Sequence, residues 1–171
     1  MPVLILMRHA KAVREHEAAS DRARGLTTRG RREAALAAMA MRDQELAPTA
    51  ARASSAVRTV ETAVIVGGDI APDAGLGYVD DLYLASGETI WADAMHAAAS
   101  SPASVLVVGH NPGMHELVAL LIERSGDRSA LARRFLDDMP TASWAAFDVE
   151  GGDLDSTAAR FLGGWSPPRD G

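Results

Sequence analysis

Two stretches decide the fold: Val3-Leu4-Ile5-Leu6-Met7-Arg8-His9 and Ser104-Val105-Leu106-Val107-Val108-Gly109-His110-Asn111-Pro112-Gly113. Each is a continuous apolar run of strand length that ends abruptly in polar residues. Strands buried on both faces of a sheet read this way, and helical stretches separate the two runs. In open α/β sheets, ligands bind beyond the carboxyl ends of the strands. Both runs deliver a histidine to that position.

Working outward, the Ala-, Arg- and Leu-rich segment from Thr28 to about Leu46 predicts a helix, with Thr27 or Thr28 as its N-cap. Further helices are expected over Val57–Val66, Glu88–Ala99 and Ser129–Leu136. Met114, Leu117, Val118 and Leu121 recur at helical spacing and mark an amphipathic helix ending near Gly126. Ala50–Ser54 should be a strand if strands and helices alternate, although its residues are poor strand formers. In the tail, Thr141–Val149, the turn signal Glu150-Gly151-Gly152-Asp153 and Ala158–Trp165 predict an antiparallel hairpin. Pro167, Pro168 and Gly171 are expected to close a frayed end. The expected architecture is α/β: a three-layer α/β/α sandwich around a mostly parallel sheet, with an antiparallel edge hairpin near the C-terminus. One domain covers residues 1–171.

The composition bounds the function. Of the 171 residues, 33 are alanine, so the core is lean in bulky side chains. Lys+Arg total 17 against 23 Asp+Glu, a net charge of −6, and no basic run suggests nucleic-acid binding. Cysteine is absent, which excludes disulfides, thiolate nucleophiles and Cys-ligated zinc. Pro2–Met7 is too short for a signal-peptide core, and no stretch approaches a membrane span. A cytoplasmic protein is expected, with neither nucleic acid nor membrane as partner.

His9, His16, His96, His110 and His115 show no metal-ligand spacing, so no metal site is expected. His16 reads as a solvated loop residue, and His96 and His115 as helix-surface residues. A third element is Ser54-Ser55-Ala56-Val57-Arg58-Thr59, which places Arg58 in the first turn of a helix. Free N–H groups and the helix dipole already attract anions there, and an arginine at that end suits a phosphate.

Arg8-His9-Ala10, Ser54-Ser55-x-x-Arg58-Thr59-x-x-Thr62-Ala63 and Gly109-His110-Asn111-Pro112, in that order, resemble the signatures of the histidine phosphatase superfamily, whose fold is that of the cofactor-dependent phosphoglycerate mutases. Arg8-His9-Ala10-Lys11, the stretch Ser20–Gly30, Asp81-Leu82-Tyr83-x-Ala85, Pro140-Thr141-Ala142 and the Phe161–Trp165 ending are similar to its SixA-type phosphohistidine phosphatases. The resemblance covers almost the whole chain.

It implies that His9 is the nucleophile and that Arg8, Arg58 and His110 clamp the phosphoryl group, without metal or other cofactor. Asn111, Ser54 and Ser55 are pocket residues or helix caps, and Arg24 is a substrate contact or a solvated loop residue. The implied partner is a protein carrying phosphohistidine, or a small phosphate compound. Two departures stand out. Ala10 replaces the usual third-motif glycine, and the run from Thr62 to Tyr78 is too short for the insert that carries a Glu general acid in larger members. Asp80, Asp81 and Glu88 are the substitutes to consider, each also readable as a surface carboxylate. Without that acid, N–P substrates are favoured over esters, because imidazole leaves far more easily than an alkoxide. The alternatives are a small-molecule phosphomonoesterase on the same scaffold, a non-catalytic phosphate-binding adaptor, and a mononuclear metal hydrolase.

Overall fold

The computed structural model describes residues 1–70, 75–100 and 104–168. A six-stranded sheet is built from β1 (Val3–Arg8), β2 (Ala50–Ser54), β3 (Gly75–Val79), β4 (Ser104–Gly109), β5 (Trp144–Val149) and β6 (Ala159–Trp165), in the order β3-β2-β4-β1-β5-β6. The first four strands are mutually parallel, and β5 and β6 form the antiparallel hairpin at one edge. Among the described residues five α-helices flank the sheet: α1 (Thr28–Asp43), α2 (Val57–Ile70), α3 (Gly87–Ser100), α4 (Gly113–Ser125) and α5 (Ala130–Asp137).

Side chains alternate across a strand, so one apolar run feeds two cores. Leu4, Leu6, Val105 and Val107 join α3, α4 and α5 on one face, with Ile90, Leu117, Leu121 and Phe135 fully buried. Ile5, Met7, Leu106 and Val108 face α1 and α2, where Ala34, Ala37, Ala38, Ala63 and Val66 pack. Of the two cores, this second layer is the richer in buried alanine. Small side chains let α1 and α2 lie close to the strands, and Trp144 fills the larger gap, its indole N–H donating to Ala37 O at 3.2 Å.

β2 forms although Ala50-Ala51-Arg52-Ala53-Ser54 has little intrinsic strand preference. It lies between β3 and β4 with ladder bonds on both edges, and tertiary context overrides propensity. Arg52 turns toward α3 and pairs with Asp93 at 2.9 and 2.6 Å. On the neighbouring strand, a Cβ at Gly77 would come within 2.6 Å of the Arg52 guanidinium. β3 itself is not announced by the sequence, because glycines at 75 and 77 dilute its apolar pattern.

Helix ends agree with the expected ones to within a turn, except that α2 runs on to Ile70. Thr27 caps α1, its hydroxyl accepting from Gly30 N at 2.9 Å. The C-terminal segment is tied down rather than frayed at Pro167, which is buried and whose carbonyl accepts from Arg134 at 2.8 Å; Gly171 lies outside the described residues. No helix among the described residues is long and apolar enough to cross a membrane.

Candidate active site

β1 and β4 run side by side in register, Arg8 opposite Gly109, so the residues that follow them emerge together. His9 N donates to Gly109 O at 3.0 Å, and Ala142 N donates to His9 O at 3.0 Å. The two imidazoles meet, with ring centroids 5.4 Å apart. A cavity of about 420 Å³ opens here, lined among others by Arg8, His9, Lys11, Asp21, Arg58 and His110.

His9 is held in one tautomer. Its Nδ1–H donates to Ala10 O at 2.7 Å, since a carbonyl can only accept, and Nε2 keeps its lone pair. Ala10 is fixed in turn, its N–H donating to Thr62 Oγ1 at 3.0 Å while the Thr62 hydroxyl donates to Arg58 O at 2.7 Å. Thr62 therefore links the His9 strand end to the helix that carries Arg58. The methyl of Ala10 is fully buried in the α1/α2 layer. Burial pushes the His9 pKa down to about 3 against the bond to Ala10 O, and the positive charges of Arg58 and Arg8, with that of His110 whenever it is protonated, push the same way as burial.

His110 is likewise held neutral, at about 4, by burial first and by Arg58 second. Arg58 Nη2 lies 3.3 Å from His110 Nδ1 and has only protons to give, so Nδ1 accepts and the ring proton sits on Nε2. That proton is donated to Ser54 Oγ at 2.8 Å. The Asn111–Pro112 peptide that follows is cis.

Arg58 is 2 % exposed. Its Nη1 donates to Asp21 O at 2.7 Å and its Nη2 to Asp21 Oδ2 at 3.0 Å. Arg8 donates through Nη1 to Met139 O at 3.0 Å, and burial lowers its pKa against the pull of Asp138. Nε of both arginines is buried without a partner. Both guanidinium groups line the cavity beside two neutral imidazoles, an arrangement suited to acceptor oxygens.

The other expected residues divide. Asn111 lines the cavity, and its Nδ2 donates to Met139 O at 3.1 Å. Arg24 lines it too, but is engaged by Val13 O at 2.7 Å and by Asp21 at 2.9 Å. Ser54 is fully buried behind His110 rather than on the cavity wall. Ser55 is turned away, accepting from Arg22 at 3.0 Å and donating to Asp80 at 2.5 Å. Asp80, Asp81 and Glu88 do not line the cavity. His16 and His96 are exposed, and His115 joins α4 to α5 through Phe135 O at 2.8 Å. Among the described residues no three metal-ligating side chains come together.

The residue that sequence reasoning missed is Asp21, the one carboxylate among the described residues lining this cavity. Bonds from the Tyr83 hydroxyl, Arg24 and Arg58 hold its pKa far below the usual carboxylate range. Its only sequence signal is its place within Ser20–Gly30.

The family model of the histidine phosphatase superfamily (branch 1) matches residues 4–77. An uncharacterised protein of Mycobacterium tuberculosis is 32 % identical over 159 residues, covering 92 % of this chain and 97 % of its own. A structure from Nakamurella multipartitia, provisionally described as the phosphohistidine phosphatase SixA, is 29 % identical with a TM-score of 0.79, covering 97 % of this chain and 96 % of its own. The protein histidine phosphatase SixA complexed with tungstate is 25 % identical with a TM-score of 0.74, covering 96 % of each chain. A mycobacterial glucosyl-3-phosphoglycerate phosphatase shares the fold at 17 % identity and a TM-score of 0.64, covering 94 % of this chain and 97 % of its own. Arg8, His9, Arg58 and His110 converge on one cavity, and by these likenesses the chain belongs to the histidine phosphatase superfamily and is similar in structure to its SixA members.

Proposed function

We propose that the protein hydrolyses phosphohistidine in proteins through a phosphohistidine intermediate of its own, without metal or other cofactor. The observation that carries this reading is a neutral His9 whose Nδ1 is tied to Ala10 O, leaving Nε2 as a nucleophile inside a pocket lined by half-buried Arg8 and buried Arg58. Nε2 attacks phosphorus, the substrate N–P bond breaks, and its electron pair stays on the departing imidazole nitrogen. Water then attacks phospho-His9, releasing inorganic phosphate and restoring the imidazole.

Charge that develops on the equatorial oxygens is met by preorganised cations. Arg8 and Arg58 line the cavity and offer the Nη protons that no protein acceptor takes. His110 completes the clamp, a phosphoryl oxygen competing with Ser54 for its Nε2–H. Asn111 and Arg24 act at the pocket wall, and Ser54 acts through His110. Asp21, saturated with donors, is no source of protons. An alkoxide leaving group would need one, whereas phosphohistidine, with a proton on its second ring nitrogen, departs as neutral imidazole.

The test is release of phosphate from a phosphohistidine peptide in the presence of a chelator, with rapid acid-free quenching to trap the phosphoenzyme. Label is expected on His9, and His9→Ala abolishes both label and turnover. Label on another residue, or turnover that requires added metal, overturns the mechanism. Faster turnover of a simple phosphate ester than of the peptide assigns the scaffold to small-molecule phosphates instead.

A further inference from the structure

The segment Ser20–Arg24 belongs to no helix or strand, yet it is docked on the phosphate site, chiefly through Asp21. Asp21 receives Arg58 Nη2 at 3.0 Å, Arg24 Nη1 at 2.9 Å and the Tyr83 hydroxyl on its carboxylate, and Arg58 Nη1 at 2.7 Å on its main-chain carbonyl. Tyr83 is held in its turn. Its ring meets the His110 imidazole edge-on with centroids 5.4 Å apart, and the Arg22 guanidinium covers it at 4.3 Å.

Arg58 has five N–H groups. One goes to Asp21 O, one to Asp21 Oδ2 and one to His110 Nδ1. The two left over are the second Nη1 proton and Nε–H, and Nε is the atom buried without a partner. Asp21 thus fixes the plane of the guanidinium and decides which of its protons remain for a ligand. The same carboxylate is an anion on the wall of this cavity, and its charge opposes the binding of a second anion there.

We propose that Asp21 is the positioning residue of the phosphate clamp, orienting Arg58 for the transition state while weakening the hold of the resting site on inorganic phosphate. The two effects have opposite signs on affinity and turnover, which separates this role from a structural one. A misfolded or loosened loop weakens phosphate binding and slows turnover together. Asp21→Asn keeps the shape of the side chain, removes its charge and lets Arg58 swing. The loss of repulsion tightens phosphate, and the loss of aim slows the chemical step, which depends on placement at the ångström scale.

The experiment measures binding of inorganic phosphate to the resting protein by calorimetry, and kcat on a phosphohistidine peptide, for wild type, Asp21→Asn and Tyr83→Phe. For Asp21→Asn, Kd for phosphate is expected to fall about 3- to 10-fold and kcat to fall at least about tenfold. Tyr83→Phe removes one of the donors but leaves the carboxylate charge, so kcat should fall by less than in Asp21→Asn while Kd for phosphate does not tighten. It keeps the question answerable if Asp21→Asn does not fold. Weaker phosphate binding in a folded variant, or unchanged Kd and kcat, overturns the proposal. The kcat arm rests on the reading of the substrate given above, whereas the calorimetric arm needs no turnover. A wild type that binds phosphate but leaves the peptide intact therefore refutes the substrate assignment, and the sign of the Kd change still decides the role of Asp21.

Discussion

His9 and His110 sit within a cavity that three arginines also line, and their protonation follows from burial before anything else. With values pushed to about 3 and about 4, both imidazoles stay neutral across the range in which an ordinary histidine titrates. Ring-carbon NMR shifts of these two residues should therefore stay constant from pH 8 to pH 5, and binding of phosphate, which brings negative charge, should raise both values. Titration of either ring near pH 6.5 in the free protein would contradict the buried, cation-flanked geometry. His9, Arg8, Arg58 and His110 were all legible in the sequence, because each stands at a strand or helix end whose position short local patterns reveal. Asp21 was not, since its partners Arg58 and Tyr83 lie 37 and 62 positions away and its worth is entirely in those contacts. Ser55 shows the converse. Adjacent to Ser54 in a recognisable motif, it faces Asp80 because consecutive side chains leaving a strand point in opposite directions.

At the level of elements, two glycines staple the loops that frame the site. Gly30 in the first turn of α1 packs on the Lys11 carbonyl, where a Cβ would approach to 2.1 Å, and Gly113 at the start of α4 packs on the Ala85 carbonyl, at 2.0 Å. Backbone cannot rotate aside as a side chain can. Gly113→Ala should therefore cost about 1–3 kcal/mol, read as a lower urea midpoint at unchanged slope, and should also disturb the His110 loop. Gly67 in α2 is the control, since a Cβ there meets nothing within 4 Å. Gly67→Ala should stabilise by about 0.5–1 kcal/mol through helix propensity and reduced freedom of the unfolded chain. A destabilised Gly67→Ala, or a neutral Gly113→Ala, would show that these packing distances do not govern stability. Glycine also explains what was not legible among the strands. β1 and β4 advertise themselves because both of their faces are buried in bulky apolar side chains. β3 carries Gly77 because the Arg52 guanidinium needs the space, and no pattern within five residues can announce a requirement imposed by the next strand.

Over the whole molecule, charge is unevenly distributed. The net −6 combines +3 over residues 1–70 with −9 over residues 71–171, and the cavity-lining cations Arg8, Lys11, Arg24 and Arg58 all come from the first part. The fold concentrates cations at one sheet end, and the same concentration makes added protons there costly. Two histidines that are 8 % and 2 % exposed are neutral in the folded state, while their unfolded counterparts take up protons near pH 6.5. Between that value and about 4 for His110, or about 3 for His9, the unfolded chain binds more protons than the folded one. The stability these sites contribute is fully present above pH 6.5 and declines as the pH falls, at up to about 1.4 kcal/mol per pH unit for each histidine. Asp21 acts in the same direction but only below about pH 4, where the unfolded carboxyl becomes protonated. From pH 7.5 to pH 5, urea unfolding should therefore show a loss of about 3–4 kcal/mol, and a His9→Gln, His110→Gln double variant should lose most of that dependence. Saturating phosphate should restore stability at pH 5 more than at pH 7.5, because an anion in the cavity raises both imidazole values toward that of the unfolded chain.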